Sequence, residues 1–231
     1  LADLAFLQDI LGIAFEDLSL LEQSLVHRSY LNENPDFHLP SNERLEFLGD
    51  SLLGFVIAEK LYKECHDLSE GWLTKLRASL VRGESLAHMA SSLGLGEYLY
   101  LGHGEEDSGG RKRKSTLAGL LEAVLGAVLI DKGFPVAREL VLRLFDAEIQ
   151  NAIEGKVAAD YKSRLQEIVQ AKHQVTPVYR TAKEVGPDHA KEFTVEVLID
   201  DCVIGSGRGR NKRKAEVEAA RDALEGLAQE R

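Results

Sequence analysis

Across residues 1–150 apolar side chains recur every three to four positions, rich in Leu, Ala and Glu, with few β-branched runs. That period predicts helix after helix. Breaks containing Gly or Pro fall near 32–40, 66–71, 94–110 and 131–135. Helices are expected at about 72–92 and 115–131, either side of a long polar loop, Gly102 to Lys114. Residues 152–159 are small and weakly patterned and read as a linker. The period then changes: a helix over about 160–171, strands over 178–185, 191–199 and 202–207, and a last helix over 211–229, opened by Asn211 as its N-cap. The pattern therefore predicts a multidomain chain, with an all-α domain (1–151), the linker, and an α-β-β-β-α (α+β) domain (160–231).

With 44% hydrophobic and 29% charged residues, the chain can fold around sizeable cores. Its net charge of −10 alone argues against a phosphate-rich partner. The charge is uneven, however. Residues 1–159 hold 15 Lys and Arg against 25 Asp and Glu, whereas 160–231 hold 13 of each. Within the neutral part, Arg208, Arg210, Lys212, Arg213 and Lys214 concentrate five cations in seven residues, and a local patch decides binding more than the total does. The two cysteines, Cys65 and Cys202, have no metal-ligand spacing and suit a reducing cytoplasm. No apolar run is long enough to span a bilayer and no signal peptide is visible, so no membrane partner is expected.

The candidate chemistry lies in carboxylates. In NERLEFLGDSLLG, Glu43, Glu46 and Asp50 stand at i, i+3 and i+7 and share one helix face. Leu45, Leu48, Leu52 and Val56 share the other. A solvated acidic face is the ordinary reading of such a helix. Phe47 near the acidic side, and Gly49 and Gly54 in a helix interior, fit close approach by something else. Glu122 sits inside the apolar run LAGLLEAVLGAVLI, where an ionised carboxylate needs a partner. A salt bridge to Arg44 or Arg77 is one reading; a hard divalent cation shared with Glu46 and Asp50 is the other. Glu70 can join such a site from a third helix.

NERLEFLGDSLLG closely resembles the signature of the ribonuclease III family. The likeness extends upstream to His27-Arg28-Ser29-Tyr30 and on through Glu70-Gly71-Trp72-Leu73, the GEEDSGGRKRKS loop and Leu121-Glu122-Ala123. It implies a helical endonuclease domain that forms a homodimer around double-stranded RNA. Each subunit would cut one strand with Mg²⁺, or Mn²⁺ in its place, leaving 5′-phosphates and short 3′ overhangs. It also implies processing of ribosomal RNA precursors and of some messenger and transfer RNAs. By motif, Glu46 resembles a metal ligand, Asp50 a catalytic residue, Glu122 a catalytic metal ligand, and Glu43 and Glu70 secondary site residues. Where the family pattern Asp-x-x-Glu-Ala places a metal-binding aspartate, this chain has Gly119. The expected consequence is weakened metal binding and reduced or altered cleavage.

The C-terminal domain resembles a double-stranded-RNA-binding domain at DYKSRLQE (160–167), GPDH (186–189) and GRGRNKRKAE (207–216). A-form RNA is read through its hydroxyls and phosphates across two minor grooves and the major groove between them. Ser163, Gln166 and Gln170 supply a polar helix face, Pro187 and His189 a loop, and Lys212, Arg213 and Lys214 a cationic helix start. Arg111 to Lys114 read equally as phosphate contacts or as a solvated loop. Two functions compete: an endoribonuclease, supported by Glu46, Asp50 and Glu122, and a weakly cutting RNA-binding protein, supported by Gly119. A purely structural RNA scaffold would not need the carboxylates.

Overall fold

In the computed structural model, which describes residues 3–66, 68–187 and 191–229, the chain divides into two units, Leu1–Gln150 and Asn151–Arg231. The first unit is helical: α1 (Leu4–Leu11), α2 (Leu18–Ser24), α3 (Arg28–Glu33), α4 (Glu43–Glu64), α5 (Glu70–Leu80), α6 (Gly83–Ser92), the short α7 (His103–Asp107) and the first part of α8 (Lys114–His173). Three features depart from the expected pattern. The helix over 72–92 is two helices, because the backbone turns extended at Arg82, between β-branched Val81 and helix-weak Gly83. The Gly102–Lys114 loop contains α7 and a 3-10 turn at Gly110–Lys112. The stretch 152–159 has helical backbone within α8 and belongs to the second unit. Its Ala and Glu residues, with no proline, permit a helix despite the weak amphipathic pattern. α8 itself bends at Gly133, which takes φ 77° just ahead of Pro135.

The centre of the first unit is the antiparallel crossing of α4 and α8. Leu45, Leu52, Leu53, Val56 and Ile57 of α4 are buried, as are Leu120, Leu121, Ala123, Val124 and Ala127 of α8. Two glycines let the backbones touch. A Cβ on Gly49 would overlap the Glu122 carbonyl, and one on Gly126 the Leu45 carbonyl. Gly49 therefore answers to close approach within the chain. Gly54 does not, for nothing lies within 4 Å of where its Cβ would stand. The start of α4 is pinned by buried Asn42, whose Nδ2 donates to the Ser24 carbonyl at 3.2 Å and whose backbone N–H donates to Val26 at 2.9 Å.

The second unit is a three-stranded antiparallel sheet, β1 (Val178–Val185), β2 (Glu192–Ile199) and β3 (Cys202–Gly209), followed by α9 (Lys212–Gln229). Leu165 and Val169 of α8, Val195, Val197 and Ile199 of β2, and Ala215, Ala219, Ala220 and Ala223 of α9 form its core. Gly205, Gly207 and Gly209 alternate along β3 beneath the ridge Ala215-Ala219-Ala223, so that strand and helix pack backbone to backbone. Asn211 caps α9, its Oδ1 accepting the Lys214 N–H at 2.8 Å.

The space around two helical glycines predicts opposite outcomes for their change to alanine. Gly126→Ala should lower the stability of the first unit by about 1–3 kcal/mol, since overpacking outweighs the gain in helix propensity. Gly226→Ala, in open space on α9, should stabilise the second unit by roughly 0.5–1 kcal/mol. Urea unfolding of both variants checks this, and a stabilised Gly126→Ala would contradict the packing.

Candidate active site

The same crossing gathers three of the predicted carboxylates. Glu46 and Asp50 lie one turn apart on α4, and Glu122 faces them from α8. Gly49 sits against the Glu122 backbone, so Glu122 cannot move away without opening the core. Among the described residues no cation pairs with Glu122. The expected alternative of a bridge to Arg44 or Arg77 is not realised; the charges acting on Glu122 are those of Asp50 and Glu46. Burial, then these like charges, push the Glu122 carboxyl up to about 7. Burial, then Glu43 and Asp50, also raise Glu46.

Gly119 adds a second constraint. A Cβ there would stand 2.8 Å from the Glu46 carboxyl, which leans over the glycine. The space an aspartate side chain would need is occupied by Glu46. As placed, the described residues include no ready-made cluster of three metal-ligating side chains. What they offer is a pair of half-buried glutamates beside an exposed aspartate, mutually repelling and lacking a cation. Oxygen donors in that state suit a hard divalent ion with water completing its shell.

The secondary residues separate. Glu43 is exposed at the head of α4, held by Arg28 at 3.3 Å and by the Ser41 hydroxyl at 2.9 Å, and still adds to the field on Glu46. Glu70 accepts from the Thr74 hydroxyl at 2.9 Å on its own helix and stands apart from the charges that raise Glu46 and Glu122.

The polar loop is organised by the HRSY segment. His27 Nδ1 accepts the Ser29 N–H, Ser29 Oγ accepts the Gly102 N–H at 3.0 Å, and Glu33 accepts the His103 N–H at 2.9 Å. The loop cations are largely committed within the fold. Arg111 is paired with Glu106 and donates to the Gly96 and Leu99 carbonyls at 2.8 and 3.1 Å. Arg113 is paired with Glu105, and Lys114 with Glu84 at 2.6 Å. Exposed Lys112 is the one of the four left without a partner among the described residues. Sequence patterning shows only part of this, because the Lys114 partner lies thirty residues away and the carbonyls that Arg111 reaches lie fifteen and twelve away.

In the second unit, Ser163, Gln166 and Gln170 are exposed and line one shallow depression with Glu167 and Ala171. Pro187 is exposed just after Gly186, which takes φ 100°. His189 lies outside the described residues. Lys212, Arg213 and Lys214 are exposed at the start of α9. The alternating glycines of β3, which set the height of α9 on the sheet, carry a signal in the sequence that the strand reading alone did not exploit.

Comparison with known proteins follows the division into units. A ribonuclease-III-like family model matches residues 17–148, and a double-stranded RNA binding motif matches 161–227. The chain is 49% identical to "Ribonuclease 3" of Dehalococcoides mccartyi over 223 residues, 96% of this chain and 94% of that protein. It is 48% identical to "Ribonuclease 3" of Treponema denticola, covering 95% of this chain and 89% of that one. Among solved structures, the nuclease domain of ribonuclease III from Campylobacter jejuni superposes with a TM-score of 0.58 at 37% identity, over 64% of this chain and 97% of that one. A second structure of that domain, described as flexible in a region involved in dimer formation, gives 0.57 at 39% identity, over 61% and 94% of the respective chains.

The raised Glu122 carboxyl sets a pH dependence. Its ionisation is disfavoured in the fold, so the Glu122 contribution to the stability of the metal-free chain is full below pH 4.5 and is lost as pH rises through about 7. Glu122→Gln removes that cost. It should stabilise the metal-free first unit by about 1–3 kcal/mol at pH 8, discounted for the half-exposed side chain, and by little at pH 4.5. Thermal unfolding at both pH values measures it; an equal gain at the two would contradict the electrostatic account.

Proposed function

The chain belongs to the ribonuclease III family, and from that premise we propose how it cuts RNA. It is an endoribonuclease of double-stranded RNA that hydrolyses phosphodiester bonds to leave 5′-phosphates and short 3′ overhangs, in the processing of ribosomal RNA precursors and other transcripts. The observation that carries the site is the juxtaposition of half-buried Glu122 with Glu46 and Asp50, with no cation paired to Glu122 among the described residues. The family's chemistry depends on a divalent metal; here Mg²⁺ suits the all-oxygen donors, with Mn²⁺ an effective substitute. Glu46 and Glu122 would hold it, and exposed Asp50 would orient the attacking water and take up its proton. When bound, the ion supplies charge that acidifies a water and offsets the negative charge growing on the scissile phosphate. Glu43 and Glu70 act at the margin, Glu43 through the field it adds at Glu46.

Ser163, Gln166 and Gln170, the Pro187–His189 loop and the Lys212–Lys214 tip would meet successive grooves of the duplex, separate from the chemistry. The cysteines are unpaired and no described helix is long and apolar enough to cross a membrane, which supports action in the cytoplasm.

An apolar face exposed among the described residues supports a homodimer. Phe47 (76% exposed), Phe55 (59%) and Tyr62 (72%) are exposed along one side of α4, and exposed Phe134 of α8 lies with its ring 5.9 Å from that of Phe55. Isolated exposed aromatics are ordinary, but several large apolar side chains exposed on one helix and its neighbour mark an interaction surface. Gly54, with open space above it, lies beside these side chains and admits a second copy. Light scattering should give the mass of two chains, and Phe55→Glu should shift it toward one; a single-chain mass for the unaltered protein would contradict the dimer.

Gly119 favours the second reading, a protein that grips duplex RNA but cuts it weakly. Gly119→Asp adds a donor and a charge and obliges Glu46 to swing off the glycine. The Mg²⁺ concentration for half-maximal cleavage should fall by on the order of tenfold. Equal rates at limiting Mg²⁺ would sink the weakened-site account. Binding without cleavage at saturating Mg²⁺ would establish the second reading instead.

A further inference from the structure

The cations at the start of α9 are not free. Lys212 Nζ lies 2.9 Å from Glu184 of β1. Arg213 donates to the Gly155 carbonyl at 3.4 Å, and Lys214 Nζ lies 3.0 Å from Glu154. Glu154 and Gly155 belong to the same unit as α9 but precede the matched RNA-binding motif, which begins at residue 161. With Asn151 they wall a cavity whose lining also includes Arg208, Arg210, Arg213, Lys214 and Glu218. The segment before the motif thus places a carboxylate and a carbonyl, two oxygen acceptors, against cations suited to RNA phosphates.

We propose that Glu154 is an affinity-setting residue for duplex RNA: an internal stand-in for phosphate that must release Lys214 before the backbone of the duplex can engage it. The inference rests on the reading of the Lys212–Lys214 tip as a phosphate contact. The chemistry is an exchange of acceptors. A carboxylate carries one charge on oxygens at hydrogen-bonding distance, as a phosphodiester does, and so competes for the same ammonium. Both members of the Glu154–Lys214 pair are about half exposed. The pair is therefore weak enough to yield to RNA yet strong enough to reduce its affinity. Glu184 presses on Lys212 in the same way, but it also faces Lys191 at 3.8 Å, so its removal disturbs more than one cation. Glu154 is the cleaner lever.

The test is equilibrium binding of the full chain to a blunt RNA duplex without divalent metal, so that nothing is cut. Glu154→Gln should bind about two- to five-fold more tightly at low salt, the range that an exposed ion pair supports. The dependence of log affinity on log salt should steepen by up to about one, because Lys214 no longer leaves behind a carboxylate that takes up a counterion. In a Lys214→Ala background the Glu154→Gln gain should vanish. Glu225→Gln, about three turns further along α9, makes the same charge change away from the tip and should give little gain. Equal affinity of Glu154→Gln and the unaltered chain, an equal gain from Glu225→Gln, or a gain that survives Lys214→Ala would each overturn the proposal. Absence of any binding by the unaltered chain would instead count against the RNA-binding reading itself.

Discussion

The close crossing of α4 and α8 is the contact on which the active site depends. At Gly49 and Gly126 the two backbones meet with no side chain between them. Helices that approach this closely cannot separate charges carried on their facing sides. Glu46, Asp50 and Glu122 are therefore held together against their own repulsion, at the expense of stability in the metal-free chain. The rest of the first unit reinforces the arrangement. Asn42 fixes the entry of α4, and Asp131 of α8 accepts the backbone N–H groups of Glu16 and Asp17 at 2.9 and 2.8 Å, tying the start of α2 to α8. Strain of this kind is expected where function needs charge that the fold does not neutralise.

The second unit solves a parallel problem by the same means. Gly205, Gly207 and Gly209 bring α9 onto β3, and the alanine ridge leaves no bulky side chain to hold them apart. The cationic start of α9 is thereby fixed in place while its side chains remain exposed. In both units glycine sets the spacing and charge carries the chemistry, but with opposite sign. The first unit concentrates Glu46, Asp50 and Glu122 with no cation paired to Glu122 among the described residues, and the second collects cations and screens them with its own carboxylates and carbonyls. A chain of net charge −10 can thus bind a polyanion, because the charges that matter are local.

Local pattern determined a good deal of this. The 3.6-residue period separated the helical unit from the α+β unit. Alternation located β2, Asn211 announced α9, and the motif around Glu46 and Asp50 was specific enough to imply the family. The burial of Glu122 was legible because a carboxylate within an apolar helical run must lie near the core. Local pattern also misled where propensity and period disagreed. Residues 152–159 are weakly amphipathic yet helical, and the run over 72–92 is periodic yet broken at Arg82.

Tertiary structure alone decided which charges meet. That Glu122 faces Asp50 and Glu46 and not an arginine, and that the Glu46 carboxyl fills the space above Gly119, follow from contacts between elements far apart in the chain. So do the commitments of Lys114 to Glu84, thirty residues away, and of Lys214 to Glu154, sixty away. The physical reason is one of range. Periodicity and capping act over a few residues and can be read along the chain, whereas the partner of a charge is set by packing, which brings residues together across tens of positions.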